Sequence, residues 1–300
     1  MRVAILIPTC DAYARVASIT SRRLDTLWHG HPPAFVCGLR QYDLFPDGGL
    51  PCVADPADWI GIVLDAAAHL GTQGFDWLYL VLDDHPPFGP CNADHLNRVL
   101  PERAEALGAM HVNLQGWDQF QSHEGEVLGR DCLYWQRNAP EFHWKFSLHP
   151  GFWHIATLVK VMRQLREQSS QVRTARAFEG AMEAASRAVD AQLSERTFRV
   201  CGDRFAAGRH WFERRGTRAV ARRVLDAARF GARLGGQRLL TALDRGIKPY
   251  MDYINGPYPM FWSGLVRKGQ LNGEALRFLR WSGQGALADE IRGNALQTTG

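Results

Sequence analysis

Apolar residues follow two rhythms along this chain. Unbroken runs at residues 3–7 (VAILI), 34–39 (AFVCGL) and 77–82 (WLYLVL) lack polar alternation, and 109–114 (AMHVNL) is a fourth strand candidate that carries His111 and Asn113. Such runs suit strands covered on both faces inside a parallel sheet. Between them, apolar positions recur at helical spacing. Ala14–Leu27 carries Val16, Ile19, Leu24 and Leu27 near one side. Residues 56–70 carry Trp59, Ile60, Val63, Leu64, Ala67 and Leu70, and Asp55-Pro56 offers cap and first-turn chemistry. Asn92 can cap a third helix over residues 93–107, which Pro101 should kink or split. The order β-α-β-α-β-α-β predicts an α/β fold with a mostly parallel sheet covered by helices.

The rhythm changes after Gln115. Short aromatic runs at 132–136 and 142–148 predict an antiparallel pair. Pro150-Gly151 turns into a helix over 153–166, Ser169-Ser170 breaks it, and 174–189 is helical again. A late strand is predicted at 197–201, a Tyr- and Pro-rich loop at 249–259, and one short C-terminal helix before the tail. These elements divide the chain into a catalytic or binding unit, 1–205, and a C-terminal segment, 206–300, packing on it.

Composition narrows the class. With 300 residues, 46% hydrophobic, the chain can bury a sizeable core. The net charge of +4 does not demand a polyanionic partner. Its basic residues cluster instead. Residues 209–245 hold ten arginines against Glu213, Asp226 and Asp244, with Val220, Val224, Leu225, Leu234 and Leu239 at roughly helical spacing. A basic amphipathic helix of this kind can lie on an anionic membrane, or be a solvated outer helix with an ordinary apolar face. No nucleic-acid-binding module accompanies it, so no nucleic-acid partner is expected. The six cysteines are scattered, without a CxxC pair, which suits a reducing cytoplasm. No run approaches the ~20 apolar residues of a membrane span. The expected location is cytoplasmic, with peripheral attachment to the inner membrane face open.

Candidate chemistry sits where the run at 77–82 stops, in Asp83-Asp84-His85-Pro86-Pro87. Ligands of open α/β sheets bind outside the carboxyl ends of the strands. Two adjacent acids and a histidine there read as a site; the plainer alternative is a solvated acidic turn. The first strand ends in Pro8-Thr9-Cys10-Asp11, a polar turn suited to a nucleotide. Neither GxGxxG nor GxxxxGK[ST] occurs. Trp117, Trp135, Trp144 and Trp153 crowd the middle of the chain, as sugar platforms or as core.

Several ordered blocks resemble a family of bacterial GT-A type glycosyltransferases. They are Ile7-Pro8-Thr9, Asp58-Trp59, Leu82-Asp83-Asp84-His85, Asn113-Leu114, Ser147-Leu148-His149 with Trp153 and Leu158, Ala177-Phe178-Glu179, and Arg267-Lys268-Gly269. The likeness spans residues 3 to about 200 and a short piece near 265. It departs from the family at His85, where an aromatic is usual, and at His149-Pro150, which replaces a Gln-based turn. The "W-E-F-E" block keeps only Phe178-Glu179. The resemblance implies transfer of a sugar from a nucleotide-diphosphate donor to a hydroxyl of a glycan or lipid-linked acceptor, in surface glycan synthesis. It implies Pro8, Thr9, Asp11, Asp83, Asp84, His85, His149, Arg267 and Lys268 around the donor, and Glu179 as catalytic base. Asp83 and Asp84 would hold Mg²⁺ or Mn²⁺; without a metal, Arg267 and Lys268 would neutralise the leaving diphosphate. A non-catalytic glycan-binding or membrane-scaffold protein on the same fold is the alternative.

Overall fold

In a computed structural model, residues 1–116, 125–130, 133–138, 145–168, 173–175, 177, 181, 195–202, 223, 253–254, 256–267 and 269–295 are described. The elements are β1 (Val3–Pro8), α1 (Ala14–Leu27), β2 (Ala34–Cys37), β3 (Gly49–Leu50), α2 (Trp59–Thr72), β4 (Trp77–Leu80), α3 (Leu100–Ala106), β5 (His111–Gly116), β6 (Gly125–Arg130), β7 (Leu133–Asn138), β8 (Gly151–His154), α4 (Ile155–Gln168) and β9 (Thr197–Gly202). The C-terminal part adds β10 (Tyr253–Ile254), β11 (Met260–Phe261), β12 (Val266–Arg267), β13 (Gln270–Leu271), α5 (Gly273–Trp281) and α6 (Gly285–Ala295).

Strands β1 to β9 form one sheet of nine strands in the order β3-β2-β1-β4-β8-β5-β9-β7-β6. Only β8 and β7 run against the rest, so the sheet is mostly parallel, with small antiparallel pairs β10-β11 and β12-β13 beside it. Alternation along each strand builds the two cores. Ile5, Ile7, Trp77, Tyr79 and Val81 face α1 and α3, with Ala17, Leu24, Trp28, Leu100 and Ala104. Ala4, Leu6, Leu78 and Leu80 face α2 and α4, with Ile62, Val63, Leu158 and Met162. A third cluster joins the outer side of α1, through Val16 and Ile19, to Phe88, Phe261, Leu265, Phe278 and Ile291. The C-terminal helices therefore pack against α1, where Arg22 pairs with Glu290 and Arg23 donates to Gln284 at 2.7 Å.

Several local expectations need correction. The helix predicted over 56–70 starts later: Asp58, not Asp55, caps α2, accepting from Gly61 N at 3.0 Å, while Asp55 turns back on Ala57 N at 2.9 Å. Pro101 does not break the third helix: the chain stays helical over residues 93–106, with a π-helical turn, His95–Val99, just before α3, whose first turn holds the proline. The antiparallel pair is β6 with β7, not 132–136 with 142–148. The Gly-rich GEVLGR segment gave no strand signal, and residues 145–150 are bends. Gly151-Phe152-Trp153-His154 is not the start of a helix. It enters the sheet between β4 and β5, where Trp77 stacks on Phe152 at 4.5 Å and Trp153 is buried. The C-terminus has two helices, separated at Gly283 in a left-handed conformation (φ 80°). Residues 174–189 and 209–245 lie almost wholly outside the described residues.

Candidate functional site

From β1 the chain steps to β2 and β3 on one side, then returns to place β4 on the other. That reversal opens a crevice at the carboxyl ends of β1 and β4, the general ligand position in open α/β sheets. Thr9 and Asp83 meet there: Thr9 Oγ1 donates to Asp83 Oδ2 at 2.6 Å. Thr20, from α1, donates to the Asp83 carbonyl. Burial first, and then the adjacent Asp84 charge, push the Asp83 carboxyl up to about 7, against the pull of Thr9 and His85. Tyr13 and Cys10 share this pocket of negative charge. Burial and then Asp83 raise the pKa of each.

Beside Thr9 the backbone of Gly38 comes so close, at φ 94°, that a Cβ would clash with the Thr9 carbonyl. Past it lies a cleft of about 430 Å³ lined by Gly38, Leu39, Arg40, Tyr42, Pro51, Cys52, Ala54 and Pro56. Asp11 closes the rim between them, accepting from Arg40 N at 2.9 Å. Pro8 is the last residue of β1, in register with Cys37.

Asp84 faces the other way. Its Oδ1 receives His85 Nδ1 at 2.7 Å, and its Oδ2 receives Val266 N at 3.3 Å. Its carbonyl receives Leu265 N at 2.7 Å. His85 is buried, and its Nε2 lies 3.2 Å from the Trp262 carbonyl. An acceptor stands on each ring nitrogen, so the imidazolium form fits. Burial alone would lower the His85 pKa, but the Asp84 carboxylate, by charge and hydrogen bond, carries it above the ordinary imidazole value. His149, also buried, lies with Nε2 3.0 Å from the same carbonyl and Nδ1 3.0 Å from Ser147 Oγ. A neutral ring satisfies both, and burial, then the His85 charge, push its pKa down to about 3.

Pro8, Thr9, Asp11, Asp83, Asp84, His85 and His149 thus gather at one end of the sheet. Within that group Pro8, Thr9, His85 and His149 are buried among chain atoms. Arg267 is exposed on the β12-β13 hairpin, next in sequence to the Val266 N–H that reaches Asp84. Lys268, Glu179, Trp117 and Trp144 lie outside the described residues. Trp153 is core, stacked on His111 at 3.7 Å. Sequence reasoning missed Gly38, Arg40 and Thr20. Thr20 had a signal, a hydroxyl on the apolar side of α1. Trp262 had none, because it contributes a backbone carbonyl.

The paired aspartates are the expected ligands for Mg²⁺ or Mn²⁺. Asp84 has both oxygens engaged by its own chain, and Asp83 accepts from Thr9 and from the Asp84 N–H. Among the described residues no three His, Cys, Asp or Glu side chains gather to hold a metal. This donor set does not fit a divalent cation held by the protein alone. Among the described residues no helix is long and apolar enough to cross a membrane.

No family model and no curated protein matches the chain. Among solved structures it is similar to a glycosyltransferase involved in glycosylation of the major capsid of PBCV-1. Identity is 9%, over 66% of this chain and 92% of that one, with a TM-score of 0.30. A likeness of that size carries no argument about the site.

Proposed function

We propose that this protein is a glycosyltransferase that binds a nucleoside-diphosphate sugar in the β1-β4 crevice and passes the sugar to a hydroxyl. The observation that carries the reading is the Thr9–Asp83 hydrogen bond of 2.6 Å, which joins the two GT-A-like blocks at the strand ends. The cleft beyond Gly38 is wide enough for a nucleoside, with Arg40 at its mouth. Asp83 would accept from a donor hydroxyl. The departing diphosphate gains charge, and a fixed cation next to it lowers the barrier. With no protein cage for a metal among the described residues, Arg267 on its hairpin is the residue assigned to that charge, and Arg40 the residue that meets the diphosphate from the opposite rim. Glu179 is assigned as the base on family resemblance. The acceptor would be a glycan or lipid-linked saccharide at the cytoplasmic membrane face, approached through the arginines of 209–245. Salt-sensitive co-sedimentation with anionic but not neutral vesicles tests that approach.

Binding of a ligand to the folded state raises the melting temperature, by about 2.7 kcal/mol of stability at a hundred times its Kd. A panel of nucleoside diphosphates should therefore contain one that shifts the melting curve in wild type and fails to do so in Asp83→Asn. A flat panel would sink the reading. A glycan-binding protein without turnover is the second reading, favoured by the commitment of Asp84 to its own chain. Sugar transfer from any donor removes it.

A further inference from the structure

His85 and His149 are far apart in sequence, yet both rings aim a nitrogen at one backbone atom. The Trp262 carbonyl receives His85 Nε2 at 3.2 Å and His149 Nε2 at 3.0 Å. The rings stand 5.1 Å apart at 89°, and His149 also stacks on the Trp262 indole at 4.3 Å. Three and four residues on, the same stretch of chain lays Leu265 N and Val266 N on Asp84. Between these anchors Gly264 (φ 64°) passes so near that a Cβ would clash with Asp84 Oδ2 and crowd His85 Cε1. Tyr258 closes the far side, donating to the His85 carbonyl at 2.8 Å. A carbonyl has two lone pairs, and here both are taken by imidazoles.

We propose that His85 and His149 are positioning residues: by sharing the Trp262 carbonyl they hold residues 262–267 against Asp84 and so fix where the hairpin presents Arg267. The clamp itself stands on the geometry above. Its consequence for the donor rests on the sugar-transfer reading.

The experiment is amide hydrogen exchange on the full chain, read at Leu265 and Val266, with Val81 N, bonded to Leu6 O at 3.0 Å, as the core reference. In His149→Leu the Leu265 and Val266 amides should exchange about tenfold faster, the size of one hydrogen bond, with Val81 unchanged. His149→Gln should restore slow exchange, because a side-chain amide, like a neutral imidazole, offers both an N–H donor and an acceptor. Gly264→Ala, whose Cβ would clash with Asp84 Oδ2 and crowd His85 Cε1, should open the same amides with both imidazoles still present, by wedging the segment off Asp84. Wild-type exchange in both His149→Leu and Gly264→Ala, or a Gln variant as open as Leu, overturns the clamp. Uridine diphosphate titration separates the two readings. Weaker binding in His149→Leu, recovered in His149→Gln, supports both. Opened amides with no diphosphate binding in any form leave the clamp standing and remove the donor reading.

Discussion

Asp83 and Asp84 are neighbours in the chain and opposites in the fold. Asp83 turns toward α1 and the β1 turn, where its carboxyl meets Thr9 at the crevice. Asp84 turns toward the C-terminal segment, where His85, Leu265 and Val266 hold it. Both acids sit in the turn that follows β4, closed by His85 N donating to the Leu82 carbonyl at 3.0 Å, and the turn sends the two carboxyls to different neighbours. Asp83 keeps its carboxyl at the crevice with the charged form disfavoured, and Asp84 ties the turn to the C-terminal segment.

The largest effect should come from the structural member of the pair. Asp84→Ala removes the partner of a buried imidazolium, since the Asp84 and His85 side chains are only 17% and 6% exposed. Leaving His85 uncompensated should cost about 3 kcal/mol, read as a lower urea midpoint with unchanged slope. A loss under about 0.5 kcal/mol, the size of an ordinary surface change, would mean the division between the two acids is wrong.

Much of that division was hidden from the sequence for physical reasons. The buried runs at β1, β2, β4 and β5 and the spacing of α1 and α2 exposed the layered α/β plan, and Asp83 at the end of a central run exposed the crevice. Strand β8 was not legible, because Pro150-Gly151 followed by an apolar run serves a helix start and a strand equally well. The meeting of His85 with His149 was not legible either. Each was visible as a departure from a resembling family, but their shared partner is a main-chain carbonyl, and carbonyls leave no mark in a sequence. Glu179 and Lys268, which resemblance placed in the site, lie outside the described residues.

Asp83→Asn should act with the opposite sign to Asp84→Ala. An acid whose folded pKa is raised from 3.8 to about 7 keeps its proton in the folded chain after the unfolded chain has lost it. Stability attached to Asp83 therefore falls as pH rises between those values and stays low above them. His111 and His149, both pushed down to about 3 by burial, add an opposite slope below the ordinary imidazole value. The difference curve between variant and wild type cancels them. It should be flat below pH 4 and show the Asn variant more stable above pH 7, by up to about 4 kcal/mol, while donor binding is lost. A difference that stays flat across the whole range would place Asp83 in the same structural role as Asp84.

The smallest effect tests the bond between the two strand ends. Thr9→Val keeps the shape and removes the hydroxyl that donates to Asp83 Oδ2. Net stability should drop by about 1 kcal/mol at most, one hydrogen bond at a partly wet rim. The carboxyl itself is the sharper reporter. Thr9 stabilises the charged form of Asp83, so its loss should move the Asp83 titration further upward, as followed by carboxyl carbon chemical shift. Thr9→Ser keeps the donor and should restore both values. If the Val variant leaves the Asp83 titration in place, the hydroxyl is not setting that charge. The crevice would then be tuned by burial and by Asp84 alone, and the two acids would be electrostatically one unit despite facing apart.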